Sequence, residues 1–188
     1  MAIRGISIMR AFIAIQLNQE IKDNLARIGV CYRKEYPEIR WVPPQNFHLT
    51  LKFLGEIDAN ALKDIKRKLT DICRDLQPFS IRLKGVGFFP GYYHPKVFWV
   101  GITAEPDLFT LAEKINSSII QGDNKKFSPH ITIARFKRNF SRGEELLRRV
   151  KGQAPEEWGR MQVDCVNLME SILRPEGPTY KKIHIIYL

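Results

Sequence analysis

Cysteine is scarce in this 188-residue chain: Cys31, Cys73 and Cys165 are odd in number, far apart and without a Cys-x-x-Cys pair. That pattern supports neither a disulfide framework nor a zinc ribbon, and it points to a reducing cytoplasm. Long apolar runs are also missing, none approaching the roughly 18 residues of a membrane span. The opening nine residues lack the apolar stretch and small-residue cleavage site of a secretory signal. Residues 1–8 read instead as a short extension ahead of the first strand. These absences predict a soluble, cytoplasmic protein with no membrane association. Acidic residues are in deficit, 20 against 30 Lys and Arg, for a net charge of +10. Such a balance favours a polyanionic partner (RNA, DNA or a phosphorylated metabolite) without choosing among them. With 44% hydrophobic and 27% charged residues the chain can bury a sizeable core. Its length allows one unit, or two small lobes sharing that core.

What is present is a pattern that occurs twice. Ala11-Phe-Ile-Ala-Ile-Gln-Leu17 is a strand signal, and Leu17, Ile21, Leu25 and Ile28 then recur at helical spacing behind Asn18, a candidate cap. After Pro43-Pro44, His48-Leu-Thr-Leu-Lys-Phe-Leu-Gly55 reads as an alternating strand closed by glycine. Leu62, Ile65, Leu69, Ile72 and Leu76 make the apolar stripe of a second helix behind Asp58. Strand signals return at residues 79–83 and 96–102. The order then repeats, with strand 97–102, a helix face of Leu108, Leu111, Ile115 and Ile119, and the strand Phe127-Ser-Pro-His-Ile-Thr-Ile-Ala-Arg135. A capping box, Ser141-x-x-Glu144, opens a further helix through Leu147 and Val150, and strands follow near 161–169 and 181–188. Pro90-Gly-Tyr-Tyr-His-Pro95 is a turn near the junction of the halves, with nothing of a flexible linker about it. The predicted fold class is α+β: one domain, bilobal by internal duplication, with two antiparallel sheets backed by helices.

The two His-x-Thr-x strands carry the chemistry. Side chains of a strand alternate between faces, so His48 and Thr50 share one face while Leu49 and Leu51 share the other. His130 and Thr132 stand in the same relation to Ile131 and Ile133. With 4 His in the chain, a His-apolar-Thr-apolar run is expected by chance roughly 0.02 times. One such strand reads as a satisfied structural histidine beside an ordinary strand former; two in equivalent places do not. Two histidines are too few for a zinc site, and no carboxylate or Cys recurs at partner spacing. Alternation places Lys52 beside His48 and Thr50, as a phosphate contact or a solvated strand charge. It places Arg135 on the core face, so a phosphate contact from Arg135 requires a bulge or the end of the strand. His94 and His184 do not repeat and are read as structural or exposed.

His48-Leu-Thr-Leu with Phe53-Leu-Gly55, and Ser128-Pro-His-Ile-Thr-Ile-Ala-Arg135, resemble the paired motifs of the 2H phosphoesterases, most closely the RNA 2′,3′-cyclic phosphodiesterases, also called 2′-5′ RNA ligases. Arg10-Ala-Phe-Ile-Ala-Ile-Gln-Leu17, Met169-Glu-Ser-Ile-Leu173 and Gly177-Pro-Thr-Tyr180 extend the resemblance over nearly the whole chain. It implies two lobes facing each other across a cleft, one His-x-Thr-x strand from each lobe lining it, and no metal or nucleotide cofactor. It further implies hydrolysis of RNA 2′,3′-cyclic phosphate ends to 2′-phosphates, with reversible 2′-5′ ligation as a second activity and tRNA fragments among the substrates of a monomer. The chemistry agrees. Opening a cyclic phosphodiester needs a base for water, an acid for the departing ribose oxygen, and donors for the non-bridging oxygens. Histidine suits both proton roles. We assign His130 as the base and His48 as the acid, with Thr50 and Thr132 donating to phosphate. The competing readings are another 2H activity on RNA 3′ ends or 2′-5′ linked oligonucleotides, and an RNA- or nucleotide-binding module.

Residues 125–151 hold nine basic side chains, Lys125, Lys126, Arg135, Lys137, Arg138, Arg142, Arg148, Arg149 and Lys151, against Glu144 and Glu145. They read either as a track for RNA backbone or as a solvated helix surface. Trp41, Phe47 and Phe127 flank the motifs, as stacking groups for a terminal base or as core.

Overall fold

The first two helices begin where short polar side chains can cap them. Asn18 Oδ1 accepts the Ile21 amide proton at 2.9 Å, and Asp58 Oδ1 that of Ala61 at 2.8 Å. Each pairs a donor that the helix itself leaves without a carbonyl. The computed structural model describes residues 8–104, 106–123 and 126–188. The chain runs through β1 (Met9–Gln16), α1 (Gln19–Tyr32), a two-residue strand β2 (Arg40–Trp41), β3 (His48–Ile57) and α2 (Ala59–Cys73). It continues with β4 (Phe79–Phe89), β5 (Val97–Ala104), α3 (Pro106–Ser118), β6 (His130–Arg135) and α4 (Gly143–Gln153). Strands β7 (Gly159–Val163), β8 (Cys165–Ile172) and β9 (Thr179–Tyr187) complete it. Of the extension read over residues 1–8, all but Ile8 lies outside the described residues. Among the described residues no helix is long and apolar enough to cross a membrane.

The strands lie in the order β7-β4-β5-β6-β3-β1-β8-β9, with β2 set against β6. The pairings are antiparallel, and the duplication is visible as four strands on either side of the middle. At that middle β3 meets β6 through the pair Leu49 and Ile131. The α+β duplication therefore stands, but its two sheets are joined into one where the His-containing strands touch. Each repeat lends strands to the other half: β4 pairs with β5 and β7, while β8, with β9 beyond it, pairs with β1. This exchange also breaks the strand expected over 161–169 at Asp164, since β7 belongs to one half and β8 to the other. Strand β4 runs past residue 83 because Lys84-Gly85 is a bulge and not a turn. Leu83 pairs with Ile102 and Val86 with Val100, leaving one extra residue, and Gly85 supplies the φ of 74° that a side chain resists.

The start of α4 corrects the capping-box reading. Arg142, not Ser141, holds the cap position and makes no side-chain cap bond. Its guanidinium instead pairs with Glu145 and Glu35.

The core lies between the helices and one face of the sheet. Ile21, Leu25, Ile65, Leu69, Leu111, Ile115, Leu146 and Val150 from the four helices all join it, with Leu49 and Ile131 from the central strands. Phe12, Ala14 and Met169 form a separate small cluster with Tyr180. This is the alternation of β1 made physical: Ile13 and Ile15 enter the core, while Phe12 and Ala14 turn to the helix-free face.

Candidate active site

His48 and His130 are built alike. Nδ1 of His48 lies 2.7 Å from the Asn46 carbonyl oxygen, and Nδ1 of His130 lies 2.7 Å from that of Ser128. A carbonyl only accepts, so each Nδ1 carries the proton and each Nε2 is left for chemistry. Asn46 is itself anchored, its side-chain amide donating to the Pro178 carbonyl at 2.9 Å. The Thr50 hydroxyl sits 3.0 Å from His48 Nε2. Antiparallel pairing at Leu49 and Ile131 sets His48 across from Thr132 and Thr50 across from His130 on the same, helix-free face. All four side chains are half-buried.

Two equivalent bulges then change the alternation. Along β1, Ala14 pairs with Thr50 and Ile13 with Lys52, so Leu51 is an extra residue in β3. Along β5, Trp99 pairs with Thr132 and Phe98 with Ala134, so Ile133 is an extra residue in β6. Beyond each bulge the faces swap.

This corrects the expectation for Lys52, which turns inward and is only 3% exposed. Its Nζ donates to Asn116 Oδ1 of α3 at 3.1 Å. Burial lowers its pKa, opposed by the Asp123 carboxylate. Lys52 thus ties β3 to α3 and does not face the phosphate side. Lys52→Met is expected to leave KM within about twofold, because a well-packed apolar residue can replace a buried ion. Asn116→Leu, which removes an acceptor from the buried ammonium, should lower stability by about 1–3 kcal/mol. Urea unfolding and steady-state kinetics on the two variants check this; a large rise in KM in Lys52→Met would return it to the substrate.

The same displacement brings Phe53, 53% exposed, to the helix-free face with its ring 6.2 Å from Phe12. In the second repeat it brings Arg135 there. Behind burial, the charge of Arg135 adds to the lowering at both His48 and His130, and at Tyr180 it opposes the rise that burial causes, so one guanidinium is felt by both imidazoles.

Burial is the first cause of the shift at both histidines. It takes His48 down to about 4 against the pull of the Asn46 carbonyl, with Lys22, Arg135 and His130 adding to the lowering. It lowers His130 as well, against the Ser128 carbonyl and helped by Arg135. Aromatic rings do the burying. Phe12 lies 4.9 Å from the His48 ring and Tyr180 meets it edge-on at 5.1 Å, while Phe89 meets His130 edge-on at 5.1 Å. Among the described residues no three His, Cys, Asp or Glu side chains gather as metal ligands.

A family model described as LigT like Phosphoesterase matches residues 15–99. The RNA 2′,3′-cyclic phosphodiesterase of Archaeoglobus fulgidus is 34% identical over 181 residues, covering 94% of this chain and 99% of that protein. The chain belongs to the LigT-like phosphoesterases. The RNA 2′,3′-cyclic phosphodiesterase of Thermotoga maritima is also 34% identical, covering 94% of each chain. Among solved structures, TT0787 of Thermus thermophilus superposes with a TM-score of 0.81 at 30% identity, covering 96% of this chain and 98% of its own. E. coli LigT complexed with 3′-AMP gives 0.75 at 25% identity, covering 97% and 99%.

In this phosphoesterase the aromatic rings near the histidines are not the ones flanking the motifs. Phe47 is buried in the core, Trp41 packs on Phe98 at 6.2 Å, and Phe127 on Phe109 at 6.0 Å. Phe12, Phe89 and Tyr180 take that place. Phe12 was findable, since it alternates against Ile13 and Ile15; Lys22, in the first turn of α1, carries no such signal. The basic stretch is also divided. Arg142 pairs with Glu145 and lies over the Tyr36 ring at 4.3 Å, and Arg149 pairs with Glu35. These two arginines fasten α4 to the segment after α1, while Lys137 and Arg138 remain exposed; Lys125 lies outside the described residues. His94 is exposed and His184 half-buried in β9. A cavity of about 360 Å³ between α1 and the α4–β7 connection, lined by Tyr32, Gln153 and Trp158, contains none of the motif residues.

Proposed function

We propose that this phosphoesterase hydrolyses RNA ends bearing a 2′,3′-cyclic phosphate to 2′-phosphates, without a metal or nucleotide cofactor. The observation that carries the reading is the matched pair of imidazoles, each with Nδ1 tied to a carbonyl two residues upstream. Two such groups supply the base and the acid that in-line displacement at phosphorus requires. The printed names of the Archaeoglobus and Thermotoga relatives support the substrate. His130 takes a proton from water as its oxygen bonds to phosphorus. The bond from phosphorus to the 3′ oxygen breaks, and His48 returns a proton to that oxygen. Thr50, Thr132 and Arg135 hold the non-bridging oxygens, whose charge grows in the transition state.

Both rings are neutral in the free enzyme near neutral pH, because burial lowers both. The substrate's own negative charge draws the needed proton onto His48. Enclosure of His48 by Phe12 and Tyr180 fits an acid that meets the ribose rather than bulk water. With a 5′-hydroxyl in place of water the same steps join it to the cyclic phosphate as a 2′-5′ linkage, and run backwards they cleave that linkage to regenerate the cyclic end. We further propose a cytoplasmic, monomeric, single-domain enzyme with tRNA fragments among its substrates; three unpaired cysteines support the reducing compartment.

Three oligonucleotides of one sequence, offered in chelator, test the reading: one ending in the cyclic phosphate, one ending in a 3′-hydroxyl, one with a 2′-5′ linkage. Conversion of the first to a 2′-phosphate with the second left intact is expected, and cleavage of the third alongside the first reports the reversible ligation. Shortening of the second or cleavage of the third without the first assigns another activity, and loss of turnover in chelator overturns metal independence.

A further inference from the structure

We infer that the hairpin tip joining β4 to β5, together with the loop after β6, is a stacking and charge platform for the RNA nucleotides next to the cyclic end. The inference rests on the RNA reading above and extends it from the reacting phosphate to the strand that bears it. Tyr92 and Tyr93 sit at the tip, 38% and 72% exposed, with their rings 4.3 Å apart. Two large aromatic side chains kept together outside the core mark a contact surface. The tip is continuous with the site. Phe89, whose ring meets His130, ends β4 three residues before Tyr92, a span of at most about 11 Å.

The tip is also held in place. The Lys96 amide donates to the Phe89 carbonyl at 2.7 Å, and the Phe136 amide to the Lys96 carbonyl at 3.0 Å, which lays the loop after β6 alongside. Gly143 lets the head of α4 lie directly against the Tyr92 carbonyl, where any side chain would collide with it. Charge completes the surface. Neither residues 89–96 nor residues 135–143 contain Asp or Glu, and Lys96, Arg135, Lys137 and Arg138 are exposed along them. Glu144 is the carboxylate whose charge reaches Tyr92; Arg142 is committed to Glu35 and Glu145. Exposed rings bordered by exposed cations are what single-stranded nucleic acid requires: the bases stack and the backbone follows the charge, with little regard for sequence.

The test compares wild type, Tyr92→Ala/Tyr93→Ala, Tyr92→Phe/Tyr93→Phe and Lys137→Glu/Arg138→Glu, after confirming equal melting temperatures. A cyclic mononucleotide and a tetranucleotide ending in the cyclic phosphate serve as substrates at two salt concentrations. For wild type the tetranucleotide should have a kcat/KM about tenfold or more above the mononucleotide. The Ala pair should lose that advantage while keeping mononucleotide turnover within about twofold. The Phe pair should retain it, and the Glu pair should lose its salt-sensitive part. Equal loss on both substrates, or no advantage in wild type, overturns the inference. Fluorescence anisotropy with a tetranucleotide ending in a 3′-hydroxyl separates the two readings. If no variant turns over a cyclic phosphate yet the Ala pair binds about tenfold more weakly, the reaction is wrong and the platform stands. Unchanged binding removes the platform.

Discussion

Replacing either imidazole by a methyl group, in His48→Ala or His130→Ala, lowers kcat by about 10²-fold or more with the fold intact. Both rings lie on the helix-free face, and the carbonyls of Asn46 and Ser128 that they leave behind can take water instead. Each variant removes a proton carrier rather than a wedge of the core, so melting temperatures stay close to wild type while turnover collapses. The two losses are distinguishable by the leaving group. A cyclic substrate with sulfur in place of the 3′-bridging oxygen departs as a thiolate that needs no proton. It should recover most of the activity lost in His48→Ala and little of that lost in His130→Ala. Rescue of His130→Ala instead would exchange the two roles. Near-normal turnover of either variant on the ordinary substrate would end the two-histidine mechanism.

Much of this arrangement is local, and what is local was legible. The caps at Asn18 and Asp58 need only a short side chain three residues ahead of an amide, and both helices begin there. The His-x-Thr-x strands declare their own inner and outer faces. Legibility ended at Leu51 and Ile133, where a bulge swaps the faces. In Leu51-Lys-Phe-Leu54 and Ile133-Ala134 both phases of the alternation carry apolar residues, so the pattern has no edge at which the change shows. Only pairing with β1 and β5 decides it. The duplication did hold one clue. His130 follows His48 by 130 − 48 = 82 positions, which matches Arg135 with Phe53 and matches Lys52 with Ala134. The counterpart of the cleft arginine is therefore an aromatic ring, and the counterpart of the lysine is a small core residue. The exchange of β4 and β8 between halves and the ion pairs of Arg142 with Glu35 and Arg149 with Glu35 join residues far apart in sequence. No window of the chain contains them.

The pH dependence of kcat/KM reaches the central claim most directly, because it reports the protonation of the free enzyme and the diester substrate does not titrate in the range. Burial holds His48 down to about 4 and lowers His130 from its ordinary 6.5. The reaction needs one proton shared by the pair. Above the upper of the two apparent values neither ring carries the extra proton, so the rate falls about tenfold for each unit of pH. Below the lower value both rings are charged, the base is lost, and the rate falls again. The account predicts a bell lying wholly on the acid side of 6.5, with kcat, measured on the bound anion, shifted to higher pH. Each single histidine variant should lose one limb. A profile flat from about pH 5 to 9 in the absence of a rate-limiting physical step, or a bell centred above neutrality that survives in both variants, would contradict paired, desolvated imidazoles as the catalytic groups.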